Sequence, residues 1–577
     1  MLTGEFLRLS ARRAPQRLAV IGSGQRLTYR ELDAAANRFA HGLLRLGIAN
    51  GGRIAIMAGN RPEYAIAYFG AARAGVLLAH ISLRSTADNL AYMLGKIGAE
   101  ALIHESRCAA VVDDALPRLS APPRRVLIDP AGAALPANPA DAVPPAGPTD
   151  AAPPADSAGT APRGDSAGRG APGAPQPSLR RRLRADHARG GGDRGNPAEI
   201  ISLDDMLDGA PATHPDIGLA ETHPLGITFT GGTTGFPKAV LVTHKARAAT
   251  AHAAAVDFGL SEADIVAATT PMFHCAGLFV WFAPAIMLGA TIVTQPTWDA
   301  ARFFELTERE NITAAFFVPS QLNDLISHPA FSARRLRTLR NIGYAGAPMG
   351  RALLERVQAA LPHVAFTENY GQSETCPLTV RRPGHGGARL GTVGRPAFNV
   401  ELDVVDPDGR PVATGRVGEI VTRGDQLFEC YFGDEEQTRA AFPMNDGWLW
   451  TGDLGFLDED GFLTLVDRSR DMLVSGGENI YPAEIENALY GHEAVAECAV
   501  FGIPDDHWGE VPATHVVLAG GRCATEDELI DFCAERIPRH KRPRLVRFVD
   551  ALPRTAVGKI RKNVLREPYW RGRERKI

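Results

Sequence analysis

At 577 residues the chain is too long for one hydrophobic core, so roughly two to four domains are expected. Charged residues make up 22% and hydrophobic residues 45%, which is ordinary for a globular protein and excludes a wholly disordered or fibrous chain. Lys+Arg 62 against Asp+Glu 66 leaves a net charge of −4, which gives no general drive towards nucleic acid or anionic membranes.

From the start, 1–16 lacks the apolar run of a secretory signal. Thr28 is placed to cap a helix beginning at Tyr29, with Glu31 completing a capping box. Residues 54–57 read as a buried strand, 63–74 as a helix stopped by Gly75, and 76–81 as the next strand. Strands separated by helices of this length imply parallel β-α-β packing. Between 129 and 197, Ala, Pro, Gly, Asp and Ser displace large apolar residues. Such an insert buries too little surface to offset its ordering entropy and is expected to be disordered. Its basic cluster, Arg180-Arg181-Arg182-Leu183-Arg184, could touch RNA or acidic lipid, but a solvated insert is the preferred reading.

The β/α alternation resumes at 225. Strands are expected at 225–229, 265–270, 290–294, 314–318 and 339–345, with helices at 300–310 and 349–361. Residues 275–293 carry no charged side chain, yet Pro284 interrupts them and candidate site motifs flank both ends. They read as a buried helix and a core strand, so no transmembrane segment is expected. Residues 399–412 look like a hairpin closed by Asp406-Pro407-Asp408-Gly409, part of a small β-rich subdomain. The last region, 470–577, can form its own α+β unit. Seven cysteines, odd in number and without metal-ligand spacing, point to reduced thiols in a cytoplasmic protein.

The chemistry is concentrated behind strand ends, where open α/β sheets bind ligands. Behind 225–229 stands Thr230-Gly231-Gly232-Thr233-Thr234-Gly235-Phe236-Pro237-Lys238. Glycines let backbone N–H groups approach an anion, the threonine hydroxyls add donors, and Lys238 adds charge: a phosphate loop. It lacks the Gly-Lys-Ser/Thr of a Walker loop, and Pro237 favours a mobile hairpin closure. Further on come Ala345-Gly346-Ala347-Pro348, Asn369-Tyr370-Gly371-Gln372-Ser373-Glu374 and Trp450-Thr451-Gly452-Asp453-Leu454. Last come Asp467-Arg468-Ser469-Arg470-Asp471, Ser475-Gly476-Gly477-Glu478-Asn479 and Pro553-Arg554-Thr555-Ala556-Val557-Gly558-Lys559-Ile560.

In this order and spacing the motifs resemble the adenylate-forming superfamily: acyl-CoA synthetases, nonribosomal adenylation domains and firefly luciferase. The resemblance runs from about residue 5 to 570, outside the insert. It implies an α/β fold with a large N-terminal region of several subdomains and a small mobile α+β C-terminal domain. The boundaries are 1–128, insert 129–197, 198–469 and 470–577. It also implies an acid:CoA ligase that forms an acyl-adenylate from ATP and a small carboxylic acid, with Mg²⁺, and then transfers the acyl group to coenzyme A. An acyl carrier protein is the alternative acceptor.

Residue by residue, the resemblance assigns Thr230, Gly231, Gly232, Thr233, Thr234, Gly235 and Lys238 to the phosphates. Gly346, Ala347 and Pro348 line the adenine, with Tyr370 stacked on it and Asn369, Gly371, Gln372 and Ser373 around it. Glu374, with Thr234, carries Mg²⁺, while Asp453 and Arg468 hold the ribose. Lys559 bridges the carboxylate and α-phosphate, Arg470 is the hinge, and Gly476 and Gly477 line the pantetheine path. His274, in Pro271-Met272-Phe273-His274, marks the mouth of the acyl tunnel. A histidine there, where amino-acid-activating relatives carry aspartate, favours an uncharged fatty or aryl acid. Ala276, Gly277, Phe279 and Trp281 could shape an apolar pocket or be plain core. Gly231, Ala239, Ala345, Ser373 and Arg470 depart from the residues common in the family, which bears on rate and hinge behaviour rather than reaction class.

Overall fold

The computed structural model describes residues 1–129, 200–230, 237–347, 349–385, 389–469, 471–476, 478–554 and 560–571. Two large sheets dominate the N-terminal part. The first has eight strands, with Leu77–His80 beside Arg53–Met57 on one side and Pro224–Thr230 on the other. These three are parallel, whereas Lys238–Thr243 returns antiparallel to Pro224–Thr230 and Cys430–Tyr431 closes that edge. The second has nine strands, its parallel centre running Ala365–Tyr370, Asn341–Tyr344, Ala314–Phe317, Ile265–Ala268, Thr291–Thr294.

The largest core lies between the sheets: Ile54, Ile56 and Leu78 from one, Val266, Ile292 and Phe316 from the other. Helices fill the gap. Every residue of Pro62–Ala74 is buried, as a helix sandwiched on all sides must be, and Gly75 ends it at φ +66. Tyr29–Arg45 starts from the Thr28–Glu31 capping box that its sequence announces. His244–Asp257 is capped by Thr243 Oγ1, which accepts from Ala246 N. The uncharged stretch after Cys275 is a π-helical turn, Ala276–Phe282, running into Ala283–Leu288 and the strand Thr291–Thr294. Among the described residues no helix is long and apolar enough to cross a membrane.

A four-stranded antiparallel sheet, Glu401–Val405, Gly418–Arg423, Leu449–Leu457 and Leu463–Arg468, forms the β-rich subdomain. The 399–412 hairpin is shorter than its sequence suggests. Its return arm makes a single bridge, Val405 to Pro411, and Gly418–Arg423 is the real partner of Glu401–Val405. Pro411 cannot donate to a ladder, and beyond it Val412 N donates to Val404 O at 3.0 Å. The C-terminal unit has its own core (Leu473, Ile485, Val500, Val516, Leu529) under the long hairpin Val495–Asp505 and Gly509–Leu518. The insert lies outside the described residues from 130 onwards. Asp129 belongs to the fold, accepting from Ser106 N at 2.8 Å.

Candidate active site

Three strand ends bring the motifs together. Pro224–Thr230 and Lys238–Thr243 pair Thr230 directly with Lys238, the two ends of the phosphate-loop motif; Gly231, Gly232, Thr233, Thr234 and Gly235 lie outside the described residues. Lys238 Nζ stands 4.5 Å from the Tyr431 ring centroid. The Tyr431 hydroxyl donates to Glu374 Oε1 at 2.8 Å. Burial raises the Glu374 pKa, and the Tyr431 hydrogen bond and the Lys238 charge pull the other way. Glu374 would offer a magnesium ion a hard carboxylate oxygen. Tyr431 gave no signal in the sequence; it arrives because Cys430–Tyr431 pairs with the far side of the hairpin.

The second cluster centres on Asp453. Leu449–Leu457 and Leu463–Arg468 set Asp453 directly opposite Arg468, whose Nε lies 3.3 Å from Oδ1. Tyr370 Oη donates to Asp453 Oδ2 at 2.5 Å and Gln372 Nε2 donates to the same oxygen at 2.7 Å. Gln372 also donates to Thr451 O at 2.9 Å. Burial raises the Tyr370 pKa, and Asp453 raises it further, so the ring stays a phenol donor. Burial would lower that of Arg468, but Asp453 and Asp471 outweigh it and the guanidinium stays charged. Segments 369–374 and 450–454 are thus locked together.

Asn341–Tyr344 runs beside Ala365–Tyr370, with Tyr344 opposite Glu368. The turn after it, through Gly346 at φ +89 and exposed Ala347, therefore emerges next to Tyr370; Pro348 lies outside the described residues. Asn369 is buried and donates to Thr379 O at 3.3 Å, a bond that holds the strand pair. A Cβ on Gly371 would come within 3.3 Å of Leu378 N. Ser373 Oγ donates to Cys275 Sγ at 3.4 Å, tying the motif to the residue after His274. His274 is half-buried and its Nδ1 accepts from Ala276 N at 3.3 Å. Of the following segment, Ala276, Gly277, Phe279 and Trp281 are all buried. Trp281 is core, donating Nε1–H to Ala267 O at 3.0 Å, whereas Phe279 carries a guanidinium, that of Arg247, over its ring. Arg247 was not singled out in the sequence, because a lone arginine on an alanine-rich helix reads as surface.

Arg470, Gly477 and Lys559 lie outside the described residues. Around them, Asp467 Oδ2 accepts from Ala483 N at 2.9 Å, and Lys562 Nζ meets Glu486 Oε1 at 2.8 Å, fastening the C-terminal helices at the end of Leu463–Arg468. Gly476 sits at φ +59 against the exposed Trp508, whose ring a Cβ there would meet at 2.6 Å.

Fold and site together define a two-domain enzyme whose sheet edges gather a hairpin, a buried carboxylate and an Asp–Arg pair. The chain belongs to the AMP-binding enzyme family, which matches residues 7–432, with the AMP-binding enzyme C-terminal domain matching 484–559. It is 31% identical to a feruloyl-CoA synthase of Amycolatopsis sp over 560 residues, 97% of each chain. It is also 31% identical to a fatty acid–[acyl-carrier-protein] ligase of Streptomyces coeruleorubidus over 582 residues, 98% of this chain and 96% of the other. A solved Mycobacterium tuberculosis fatty acyl CoA synthetase superposes with a TM-score of 0.70 at 29% identity, covering 99% of both chains.

Proposed function

We propose that the chain is a cytoplasmic, ATP-dependent carboxylic acid:CoA ligase acting on a fatty or aryl acid. The observation that carries this reading is the knot at Asp453, where two segments 80 residues apart meet through Tyr370, Gln372 and Arg468 beside Glu374. In the first half-reaction a carboxylate oxygen attacks the α-phosphorus of ATP. An O–P bond forms, the α–β bridge breaks, and pyrophosphate leaves with its electron pair. Two anions meet and no protein nucleophile is needed, so the protein's part is positioning and charge stabilisation. Asp453 takes the ribose hydroxyls, and the 345–348 turn and Tyr370 hold the base. Lys238 and the rest of its motif hold the phosphates, and Lys559 joins the carboxylate to the α-phosphate. Magnesium at Glu374 and Thr234 supplies charge for the phosphate oxygens. In the second half-reaction a thiol attacks the acyl carbonyl and AMP leaves. Lys559 must withdraw, which is the reason for a hinge at Arg470; Gly476 and Gly477 then line the thiol's path, and His274 stands at its mouth.

The test is a panel of carboxylic acids assayed for AMP release with CoA. Release with at least one acid supports the reading, and no pyrophosphate exchange with any acid overturns it. Lys559→Ala is expected to lower adenylation by on the order of 10²–10³ while sparing thioester formation from supplied acyl-adenylate. Equal loss in both steps removes Lys559 from the role. Similarity to an acyl-carrier-protein ligase supports a second reading, with a carrier's phosphopantetheine as acceptor. Comparing free CoA with a loaded carrier as thiol decides between them.

A further inference from the structure

Arg247 is 1% exposed, in the middle layer between the two large sheets. A guanidinium has five N–H donors and no acceptor. Here Nη1 donates to Thr250 Oγ1 at 3.3 Å and Nη2 to the Ser373 carbonyl at 3.2 Å. Nε has no acceptor at all, and no carboxylate among the described residues pairs with the charge. Its remaining neighbour is the Phe279 ring, 4.8 Å from Cζ. The other buried arginines have carboxylates: Arg61 meets Glu63 at 2.8 Å and Arg73 meets Asp33 at 2.5 Å. A buried charge without a counter-ion destabilises the free protein. A position that retains one is suited to an anion brought from outside.

Two further polar groups gather around the same ring. The Tyr68 ring lies 6.2 Å and the His80 ring 5.7 Å from Phe279, centroid to centroid. The Tyr68 hydroxyl, on the sandwiched helix, has no partner. His80 Nδ1 lies 2.8 Å from Tyr64 Oη, and burial pulls the His80 pKa down to about 3, so the ring is neutral. The His80 Nε2 also has no partner. Arg247 Nε, Tyr68 Oη and His80 Nε2 are thus buried without a protein partner, in a place that adjoins the site already described. His80 pairs with Thr228 at the carboxyl end of its strand, two residues before Thr230, and Arg247 holds the carbonyl next to Glu374. A π-helical turn carries Phe279, a distortion often found at functional sites.

We infer that Arg247, with the Tyr68 hydroxyl and the His80 Nε2 around Phe279, binds a second carboxylate on the acid substrate. The chain then activates dicarboxylic acids in preference to acids with a neutral tail. This narrows the substrate class and rests on the acid:CoA ligase reading. The first carboxylate attacks ATP; the second stays ionised against Arg247 and takes no part in bond making. A structural clamp between Arg247 and the Ser373 carbonyl would affect every acid alike, and this separates the two roles.

The experiment compares matched pairs on the full-length enzyme, glutarate against pentanoate and terephthalate against 4-methylbenzoate, by AMP release with CoA. The expected result is a kcat/KM advantage of about 10²-fold or more for at least one diacid. Arg247→Met is expected to abolish that advantage by raising KM for the diacid while keeping turnover of the neutral acid. Arg247→Lys restores part of it. Neutral-tail acids preferred by the unmodified enzyme overturn the anion site and leave the ligase reading standing, a result that needs no variant to fold. An equal loss for both members of a pair in Arg247→Met also overturns it. Failure with every acid overturns the ligase reading and this inference together.

Discussion

The Asp453 knot and the Arg247 group are both buried polar clusters in one molecule, and they balance oppositely. At Asp453 both carboxylate oxygens are engaged, by Tyr370, Gln372 and Arg468, so donors and acceptors cancel. Around Phe279, Arg247 Nε, Tyr68 Oη and His80 Nε2 have no protein partner, and the first belongs to a group that carries a full charge. The first arrangement rigidifies, because each group holds the others in place before any ligand arrives. The second is costly in the free protein, and only a ligand of opposite character relieves it. The difference separates a site that positions from a site that selects.

The largest effect that sharpens this contrast is expected from Asp453→Asn. An amide nitrogen brings a second donor towards Tyr370 and Gln372 and leaves Arg468 without its counter-charge. The Arg468 side chain is partly exposed, so solvent screens part of that loss, and the larger effect falls on the ribose hydroxyls assigned to Asp453. The kcat/KM for ATP should therefore fall on the order of 10²–10³, with the preference among acids unchanged. A change in acid preference of the same size would mean the two clusters are one site, and the comparison would collapse.

Two tyrosine-to-phenylalanine changes give a smaller and opposite pair. Tyr370→Phe removes a bonded hydroxyl and should destabilise the fold by about 1 kcal/mol. Tyr68→Phe removes a buried hydroxyl that satisfies nothing and should leave stability unchanged or raise it by up to about 1 kcal/mol. Chemical denaturation of both variants measures the sign, and equal losses would show that the Tyr68 hydroxyl has a partner.

The sequence made one of these clusters legible and hid the other. Asp453, Arg468 and Tyr370 belong to short polar motifs whose local pattern already suggests ligands, although all three sit within strands. Capping at Thr28 and the stop at Gly75 are equally local, and the strands around them follow. Arg247, Tyr68 and His80 come from three separate elements, each of which reads as core or surface in its own context. Only the sandwiching of Pro62–Ala74 between sheets brings them together, and no periodicity encodes that. Tyr431 was hidden for the same reason, since a two-residue edge strand carries it. The 399–412 hairpin misled in the other direction: the turn at 406–409 is real, but its return arm adds only the Val405–Pro411 bridge, and Gly418–Arg423 supplies the paired strand.

The smallest expected effect concerns Glu374, which belongs to neither extreme. Its carboxylate is buried, which raises its pKa above the ordinary 4.5, but the Tyr431 hydroxyl and the Lys238 charge partly restore the ionised form. The raised value means that the fold favours the protonated acid. The stability contribution is therefore full below 4.5 and is lost as pH rises through the folded value. Activity runs the other way, because only the carboxylate can hold a cation, so adenylation should fall on the acid side as Glu374 takes up its proton. Tyr431→Phe removes a lowering influence and should move that acid limb to higher pH, with little change on the alkaline plateau. A pH–rate profile of pyrophosphate exchange for the two proteins measures it. An acid limb that stays in place, or moves down, would mean that a group other than Glu374 titrates there, and that the hydroxyl merely fastens Cys430–Tyr431 against the hairpin.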